Sequence, residues 1–270
     1  MSAPPIMLSI AGYDPSSGAG VTADVKTAAA LGCYAASCIT ALTVQSTQGV
    51  FRVQPLDTEL VARTLNTLAD DLDIAAVRIG MLGSGAVAGV VSGFLASRKL
   101  PNIVLDPVIR SSSGMALLDE IGLEMLRGLL PLCDVVTPNV TEAQELALTE
   151  SIGSPASWDD ALPWLRNTVA RLHDLGARNI IITGGHLRPA NDYLSCRESG
   201  SLYEEVMTGE RLESRSTHGT GCAFATALAC QLALGNDLPQ AAHLAKDYVR
   251  RAITSAYPIG KGIGPVNHFG

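Results

Sequence analysis

The 270-residue chain is long enough for one large α/β domain or two small domains. Hydrophobic residues make up 47% of it, which allows a sizeable core, whereas aromatic residues make up only 4%, which argues against nucleic-acid binding by base stacking. The formal net charge is −7 and no run of Lys or Arg occurs, so DNA and other polyanions are not expected as partners.

The sequence predicts a cytoplasmic protein that does not enter a membrane. Met1–Leu8 lacks the basic and apolar regions of a secretion signal, and no uninterrupted apolar run is long enough for a membrane span. The six cysteines show neither a CxxC pair nor zinc-ligand spacing, so we expect reduced thiols, most of them buried. They are Cys33, Cys38, Cys133, Cys196, Cys222 and Cys230.

Apolar β-rich runs alternate with helical runs along the chain, and we see no linker and no repeat. Because continuous apolar strands are separated by helices, we expect one domain, residues 1–270, with a parallel sheet covered on both faces. Leu202–Met207 and the residues after Gly209 are expected to form a late hairpin. The expected strands are Ile6–Ala11, Ala36–Leu42, Ala76–Ile79, Ile103–Asp106, Val135–Thr137 and Ile180–Thr183. The expected helices are Gly20–Leu31, Thr58–Leu72, Ser84–Ser97, Ile121–Leu130, Thr141–Leu148, Trp164–Leu175, Gly221–Leu234 and Leu238–Ala256.

Ligands of such sheets bind beyond the carboxyl ends of the parallel strands. The polar and flexible residues at those positions are therefore the first candidates for a site. They are Asp14, Gln45, Met81, Asp106, Pro107, Asn139, Thr183 and Gly184.

The segment Thr217–Cys222 (THGTGC) gives the strongest single signal. Its two glycines permit a sharp turn close to a ligand, and the alanine-rich run after it predicts a helix whose free N–H groups and dipole attract an anion. A thiol at a helix N-terminus is expected to have a lowered pKa, so Cys222 is a candidate base or nucleophile. This combination indicates phosphoryl transfer.

Two motifs allow a binding role and a simpler structural one. Asp14–Gly20 is a glycine-rich turn before a helix; its incomplete G-x-G pattern is weak evidence for a dinucleotide, and a tight strand-to-helix turn explains it better. The Gln45 amide, with a donor and an acceptor, suits the edge of a heteroaromatic ring, but on its own it is better explained as a loop residue at the surface.

Carboxylates follow two of the later strands. Asp106 ends a buried strand and is suited to Mg²⁺, directly or through water, or to capping a helix or loop. Asn139 and Glu142 have capping-box spacing at a helix start, and that role is compatible with ligand binding.

Thr183–His186 combines glycines that permit approach to a nucleotide with the pattern of a strand-ending turn. His186 and His218 have no partner at metal spacing and are treated as non-ligands. Neither a Walker A sequence nor a G-x-S-x-G elbow occurs, so a P-loop kinase is excluded.

In chain order these segments resemble the vitamin-kinase branch of the ribokinase-like family, and within it the bacterial hydroxymethylpyrimidine/phosphomethylpyrimidine kinases. The resemblance spans nearly the whole chain. The matching stretches are 11–16 with 18–20, 23–27, 39–45, 79–82, 104–108, 137–139 with 142–143, 184–186, 217–222 and 262–269.

The resemblance implies a ribokinase-like three-layer α/β sandwich, with a mostly parallel central sheet and helices on both faces. It implies a homodimer that uses Mg²⁺ and ATP, the co-substrate, to phosphorylate 4-amino-5-hydroxymethyl-2-methylpyrimidine and then its monophosphate to the pyrophosphate, in thiamine biosynthesis.

The same resemblance assigns roles to individual residues. Cys222 is implied as the catalytic base, and Gly219, Thr220 and Gly221 as the anion hole. Further residues are implied at the pyrimidine (Gly12, Asp24, Gln45, Met81, Val108), at the nucleotide phosphates (Asn139, Thr183, Gly185, Thr220) and at the metal (Asp106, Glu142).

The chain departs from the family at two positions. Thr183 stands where lysine is usual, which predicts weaker ATP affinity, and Ser17 stands where glycine is more usual, which predicts a narrower pocket entrance. Two alternatives therefore stay open: a pyridoxal/pyridoxine kinase, and a catalytically weak sensor that binds the pyrimidine.

Overall fold

The computed structural model describes residues 3–111, 114–150, 157–185, 187–198 and 201–270. His186 and much of the loop-like stretch Glu150–Asp160 lie outside the described residues. The described part contains one nine-stranded sheet in the order β3-β2-β1-β4-β5-β6-β7-β8-β9. The strands are β1 (Ile6–Tyr13), β2 (Tyr34–Ser46), β3 (Gly49–Pro55), β4 (Ile74–Ile79), β5 (Ile103–Leu105), β6 (Val135–Val136), β7 (Asn179–Ile182), β8 (Asp192–Glu198) and β9 (Ser201–Met207).

Helices connect the strands and cover the sheet on both sides. A short 3-10 helix, Leu130–Leu132, also precedes β6. The α-helices are α1 (Gly20–Ala30), α2 (Thr58–Asp71), α3 (Gly85–Ser97), α4 (Glu120–Leu129), α5 (Val140–Ala147), α6 (Trp158–Asp174), α7 (Thr220–Ala233) and α8 (Leu238–Thr254).

The six central strands, from β2 to β7 in sheet order, are parallel, and both edges of the sheet are antiparallel. The predicted α/β sandwich with a mostly parallel sheet is confirmed. The central strands are apolar on both faces because helices bury both of them. In β1, for example, Met7 packs among residues of α7 and α8, whereas Leu8 and Ile10 pack on the side of α2 and α3.

The structure corrects the predicted late hairpin. β9 pairs with β8, which precedes it, and residues 209–217 form no strand. The sequence DYLSCRE of β8 mixes polar and apolar residues, so it lacks the continuous apolar run that marks a central strand. β3 was missed for the same reason, because VFRVQ alternates at an exposed edge.

Helix α6 begins at Trp158, six residues before its predicted start at Trp164. Ser157 caps it, accepting a hydrogen bond from the Asp160 N–H at 3.2 Å. Pro163 lies inside the helix. A proline is typical of helix starts rather than interiors, so the sequence pattern favours a start near Pro163 and not at Trp158.

Helix α7 packs closely against the sheet. Its residues from Ala223 to Cys230 are all buried, against α1, α8 and the strands β4 and β5. Most of these side chains are small, which lets the helix backbone approach the sheet. None of the helices in the described ranges has both the length and the apolar character needed to cross a bilayer.

Candidate functional site

A buried ionic network lies between the sheet and helices α1 and α7. The Arg78 guanidinium, on β4, donates from Nη1 to Asp24 Oδ2 at 3.1 Å and from Nη2 to Asp106 Oδ2. Asp24 also accepts hydrogen bonds from Ser9 at 2.5 Å and Thr226 at 2.7 Å. The two carboxylates therefore share one guanidinium, and Asp106 is fixed at the end of β5.

Arg78 was missed by the sequence analysis, although a signal was present. It is an arginine in the otherwise apolar strand IAAVRI, and its side chain is fully buried. Burial opposes its charge, but the neighbours Asp24, Cys222 and Asp106 outweigh burial and raise the pKa of Arg78. A buried charge in a central strand needs partners from other elements, so it marks a polar network inside the fold.

Asp24, which is predicted at the pyrimidine, is buried in the protein without ligands. Its carboxylate is wholly inaccessible and is occupied by Ser9, Arg78 and Thr226. It therefore holds Arg78 from the side of α1. The sequence places Asp24 on α1, but which face of α1 it occupies follows only from the packing against α7.

Cys222 lies in the first turn of α7, close enough to Arg78 and Asp106 for its thiol to influence the pKa of both groups. Burial raises the pKa of this thiol to about 11; Asp106 and Asp24 contribute, and Arg78 and the Gly20 N–H oppose the change. The predicted lowering of its pKa is therefore wrong for the protein without ligands. The helix-terminus argument considered only α7, whereas two carboxylates and the surrounding protein set the balance.

The anion loop at the start of α7 is built by backbone packing. Gly219 has φ +87°, and a Cβ there would lie 1.8 Å from the Gly18 carbonyl oxygen. Only glycine fits this conformation and this contact. By contrast, a Cβ on Gly221 would meet nothing within 4 Å, so the first turn of α7 is open at Gly221. Thr220 is the first residue of the helix, and the three residues together form the predicted helix N-terminus.

The predicted capping box at α5 is present. Asn139 Oδ1 accepts from the Glu142 N–H at 3.0 Å, and Glu142 Oε2 accepts from the Asn139 N–H at 2.9 Å. Burial and the nearby Asp106 raise the pKa of Glu142 to about 8, against the N–H donors of Asn139 and Ile109. Burial also raises the pKa of Asp106.

Asp106 and Glu142 fit a Mg²⁺ ion by their chemistry. Both offer carboxylate oxygens. Burial raises the pKa of both groups, and Asp106 raises the pKa of Glu142 further by repulsion, which a nearby cation would relieve. The described residues contain no cluster of three or more His, Cys, Asp or Glu side chains suited to a metal. Mg²⁺ typically uses one or two carboxylates together with phosphate oxygens, so a two-carboxylate site is sufficient.

The structure brings together the other residues predicted for the pyrimidine. Met81 forms a small apolar cluster with Ala41 and Leu117, and Val50 and Val108 pack against it. A Cβ on Gly12 would lie 3.0 Å from Met81 Sδ, so glycine lets the strand approach this side chain.

Beside this apolar cluster lies a cavity of about 140 Å³. It is lined by Gln45, Val50, Ser111, His218 and Ile263, among others. Val50 both lines the cavity and packs against the Met81 cluster, so the two are neighbours. A wider depression of about 530 Å³ over α2 is lined by none of the predicted site residues.

Asp14 organises the glycine turn between β1 and α1. Its Oδ1 accepts from the Ser16 N–H and hydroxyl at 2.8 and 2.7 Å, and its Oδ2 accepts from the Ala19 N–H at 2.9 Å. His218 Nε2 lies 2.8 Å from Asp14 Oδ2. The sequence analysis treated His218 only as a non-ligand of metals and did not foresee this contact, which joins residues 204 positions apart.

Thr183 lies beside Asn139, where its N–H donates to the Pro138 carbonyl at 2.9 Å, so the two predicted nucleotide residues are neighbours. Gly185 is open, whereas a Cβ on Gly184 would lie 1.9 Å from the Asn191 carbonyl oxygen.

No lysine replaces the one expected at position 183 within the described contacts. Lys246 Nζ donates to Asp192 Oδ2 at 2.6 Å. The other oxygen of this carboxylate, Oδ1, accepts from the Gly184 N–H. Lys26 donates to the Ser17 carbonyl at 2.7 Å. Ser17 itself has φ +59°, a conformation that explains why glycine suits this position better.

Comparison with known proteins finds a matching family model and close relatives over nearly the whole chain. The phosphomethylpyrimidine kinase family model matches residues 14–267. The chain is 41% identical to the hydroxymethylpyrimidine/phosphomethylpyrimidine kinase of Streptomyces coelicolor, over 98% of this chain and 94% of that protein. It is 37% identical to the enzyme of the same name from Haemophilus influenzae, over 97% of this chain and 96% of that one.

Solved structures of two kinds resemble the fold. An ADP complex of Bacillus subtilis pyridoxal kinase superposes with a TM-score of 0.85 at 30% identity, covering 98% of both chains. The phosphomethylpyrimidine kinase of Clostridium difficile superposes with a TM-score of 0.78 at 32% identity, covering 92% of this chain and 99% of that one.

Proposed function

The chain belongs to the phosphomethylpyrimidine kinase family, and we propose that it phosphorylates 4-amino-5-hydroxymethyl-2-methylpyrimidine and then its monophosphate, with ATP, in thiamine biosynthesis. The observation that carries this proposal is the convergence at Cys222. The thiol lies in the first turn of α7, directly after Gly219–Gly221, near enough to Arg78 and Asp106 to interact with both charges. An activatable group, an anion-binding helix start and a carboxylate therefore meet at one point.

In the first transfer the acceptor is a neutral hydroxymethyl group. The protein mainly positions the reactants and neutralises phosphate charge, through the backbone N–H groups at Gly219–Gly221 and the dipole of α7. Cys222 acts as the base that removes the hydroxyl proton. With burial raising the pKa of its thiol to about 11, Cys222 is mostly protonated at neutral pH, so it must first lose its own proton, and the resulting thiolate is the strong base that accepts the hydroxyl proton.

In the second transfer the acceptor is an anionic phosphate. It has no hydroxyl proton that must be removed, so it needs space and positive potential rather than a base. Cys222 is therefore required chemically in the first transfer and not in the second.

Asp106 and Glu142 would hold Mg²⁺ near the phosphates, where the ion neutralises their charge when bound. Arg78 opposes the rise in the pKa of Asp106 and holds the carboxyl group in place through a direct hydrogen bond. Asn139, Thr183, Gly185 and Thr220 are proposed on the nucleotide side. Since Thr183 brings no positive charge, we expect weaker ATP affinity than in relatives with lysine there.

The pyrimidine is proposed to lie between the Gln45 amide and the Met81 cluster. This cluster, with Val108 and Gly12, supplies an apolar wall, and the adjoining cavity is lined by Gln45. An apolar wall with few polar groups is typical of small-ligand sites.

We further propose that the protein works as one domain, in the cytoplasm, as a homodimer. Apolar side chains on the edge strands β2 and β3 are exposed, namely Leu42, Val44 and Phe51. Such a patch is suited to an isologous contact between copies. Size-exclusion chromatography with light scattering tests this, and a monomer at micromolar concentration would overturn it.

Pyridoxal phosphorylation is the second candidate activity, because the fold superposes on pyridoxal kinases of Bacillus subtilis and Staphylococcus aureus. A third candidate is a sensor that binds the pyrimidine without turnover, motivated by Thr183 and Ser17.

One assay separates the three. ADP release from Mg-ATP is measured with hydroxymethylpyrimidine, its monophosphate and pyridoxal offered separately. We expect turnover of both pyrimidines well above that of pyridoxal. Preference for pyridoxal would overturn the proposal in favour of the second candidate, and ring binding without ADP release would favour the sensor.

A further inference from the structure

The His218 ring lies between two polar groups of different character. Its Nε2 is 2.8 Å from Asp14 Oδ2 and 3.2 Å from one terminal atom of the Gln45 amide. The other terminal atom of that amide lies 3.2 Å from Thr43 Oγ1. Accounting for the hydrogens in this chain of contacts determines which way the amide faces.

Asp14 fixes the hydrogen on His218. Burial raises the pKa of Asp14, but its hydrogen bonds with His218 and Ser16 outweigh burial and lower it below the ordinary value of 3.8. At neutral pH Asp14 is a carboxylate, which only accepts hydrogen bonds. His218 Nε2 must therefore carry a hydrogen and donate it.

The amide of Gln45 must then present its oxygen to His218. With the amide nitrogen at the 3.2 Å contact, two donors would oppose each other. Thr43 gives the same answer independently. Its hydroxyl donates its single hydrogen to the Tyr13 carbonyl at 2.9 Å, so toward Gln45 it can only accept. The amide NH₂ therefore faces Thr43, and the Gln45 oxygen shares the single His218 Nε2 hydrogen with the closer Asp14 Oδ2.

We propose that Asp14 and His218 are a positioning pair that sets the orientation of the Gln45 amide, and through it the choice of ring. This rests on the proposed function. One N–H of Gln45 is used by Thr43, and the second remains for an acceptor atom of a heteroaromatic ring in the cavity that Gln45 and His218 both line. Without the pair the amide rotates between two orientations, and the site loses discrimination between rings.

The His218 ring is itself held tightly. A Cβ on Gly18 would lie 2.4 Å from His218 Cδ2 and 3.1 Å from Pro265 Cβ, so the ring packs against the glycine turn. The His218 N–H donates to the Gly264 carbonyl at 3.0 Å, and the His218 carbonyl accepts from the Val266 N–H at 3.2 Å. Because Gly18 has an ordinary negative φ, Gly18→Ala moves the ring through side-chain contact rather than backbone strain.

A double-mutant cycle tests whether His218 acts through Gln45. KM for hydroxymethylpyrimidine, KM for ATP and kcat are measured for wild type, His218→Ala, Gln45→Ala and the double variant. We expect His218→Ala to raise KM for the pyrimidine about tenfold, the effect of losing one good hydrogen bond, with KM for ATP unchanged. In the Gln45→Ala background the same substitution should have no further effect.

Gly18→Ala is the second variant, since it displaces the ring without removing it. It should also raise KM for the pyrimidine and lower the preference for pyrimidine over pyridoxal. Gly93→Ala, on α3 where a Cβ meets nothing within 4 Å, is the matched control and should behave as wild type.

An equal increase in KM caused by His218→Ala in both backgrounds would overturn the proposal, as would a matching rise in KM for ATP. Calorimetric titration with the pyrimidine gives the same comparison without turnover. Absence of wild-type pyrimidine turnover would instead contradict the proposed function, and the cycle is then measured with pyridoxal, where the coupling between residues 218 and 45 is still expected.

Discussion

Arg78 donates to Asp106 from a side chain that has no contact with solvent, and this bond joins the middle of the sheet to the proposed metal carboxylate. Removing one partner of a buried ion pair leaves the other charge uncompensated. Arg78→Met should therefore lower the free energy of unfolding by about 3–5 kcal/mol in urea denaturation.

The control for that substitution is Arg63→Met. Arg63 pairs with Glu59 at 3.8 Å on the exposed side of α2, with both side chains about 80% exposed. Such pairs contribute little, so a change within about 0.5 kcal/mol is expected. Similar losses for the two variants would show that the network around Arg78 contributes no more than a surface pair.

The reactivity of Cys222 should follow its raised pKa. Because the thiolate is the nucleophile, alkylation by iodoacetamide at pH 7.5 should be about a hundredfold slower than for an unperturbed thiol. The rate should rise about tenfold per pH unit until it levels near pH 11. The other five cysteines are buried, and a Cys222→Ser sample measures their background labelling. A rate that levels below pH 9 would contradict the raised pKa.

Cys222→Ala should separate the two transfers. If the thiol is the base, the first transfer should slow by about 10²-fold or more, and the second should change little. The measurement is single-turnover formation of the monophosphate and of the pyrophosphate. Cys230→Ala, the same substitution in the buried part of α7, should leave the ratio of the two rates unchanged. Equal losses in both transfers would mean that Cys222 matters for shape alone.

Glu142 should make the fold less stable as pH rises. Its pKa is about 8 in the fold against an ordinary 4.5, so between these values the native state binds more protons than the unfolded state. Stability from this group is therefore present at low pH and is lost as pH rises toward 8. Glu142→Gln should flatten the decline in melting temperature between pH 5 and about 8.

Added Mg²⁺ gives a second measurement on Glu142. The ion competes with the proton for the carboxylate, so its stabilising effect should grow from pH 6 to about pH 8 and disappear in Glu142→Gln. An unchanged pH profile in that variant would contradict the raised pKa, and an unchanged Mg²⁺ effect would contradict the metal site.

Two alanine substitutions in the anion loop should affect different quantities, one the melting temperature and the other KM for ATP. Gly219→Ala places a Cβ 1.8 Å from the Gly18 carbonyl oxygen at φ +87°, so the melting temperature should fall, with a cost of at least about 1 kcal/mol. Gly221→Ala meets nothing, so it should keep the melting temperature and instead raise KM for ATP by crowding the open helix start. A lower melting temperature for Gly221→Ala, or an unchanged melting temperature for Gly219→Ala, would contradict this packing.

The sequence predicts the fold well where one physical signal dominates. Continuous apolar runs identify the central parallel strands, and the THGTGC segment identifies the start of α7. Edge strands are harder, because β3 and β8 carry alternating or mixed residues that resemble exposed loops.

The residues of the candidate site can be proposed from the sequence, whereas their pKa values and contacts cannot. Asp106, Glu142 and Cys222 follow from strand ends and motifs, but their pKa values depend on burial and on mutual distance. Asp24 shows the limit most clearly, since a carboxylate on α1 is compatible with a pocket until Arg78 and Thr226 are seen to enclose it. The contact between Asp14 and His218 has no local signal at all.

The segment 262–268 limits how early during synthesis the wall beside His218 can form. It pairs with His218, its Gly262 packs against the Thr47 carbonyl, and His268 contacts both Thr27 and the Gly18 carbonyl. A ribosome makes these residues after all nine strands of the described sheet and after α8. A growing chain can therefore complete its sheet while the wall beside His218 is still missing. Competence to bind the ring would then arrive in a late, separate step of synthesis.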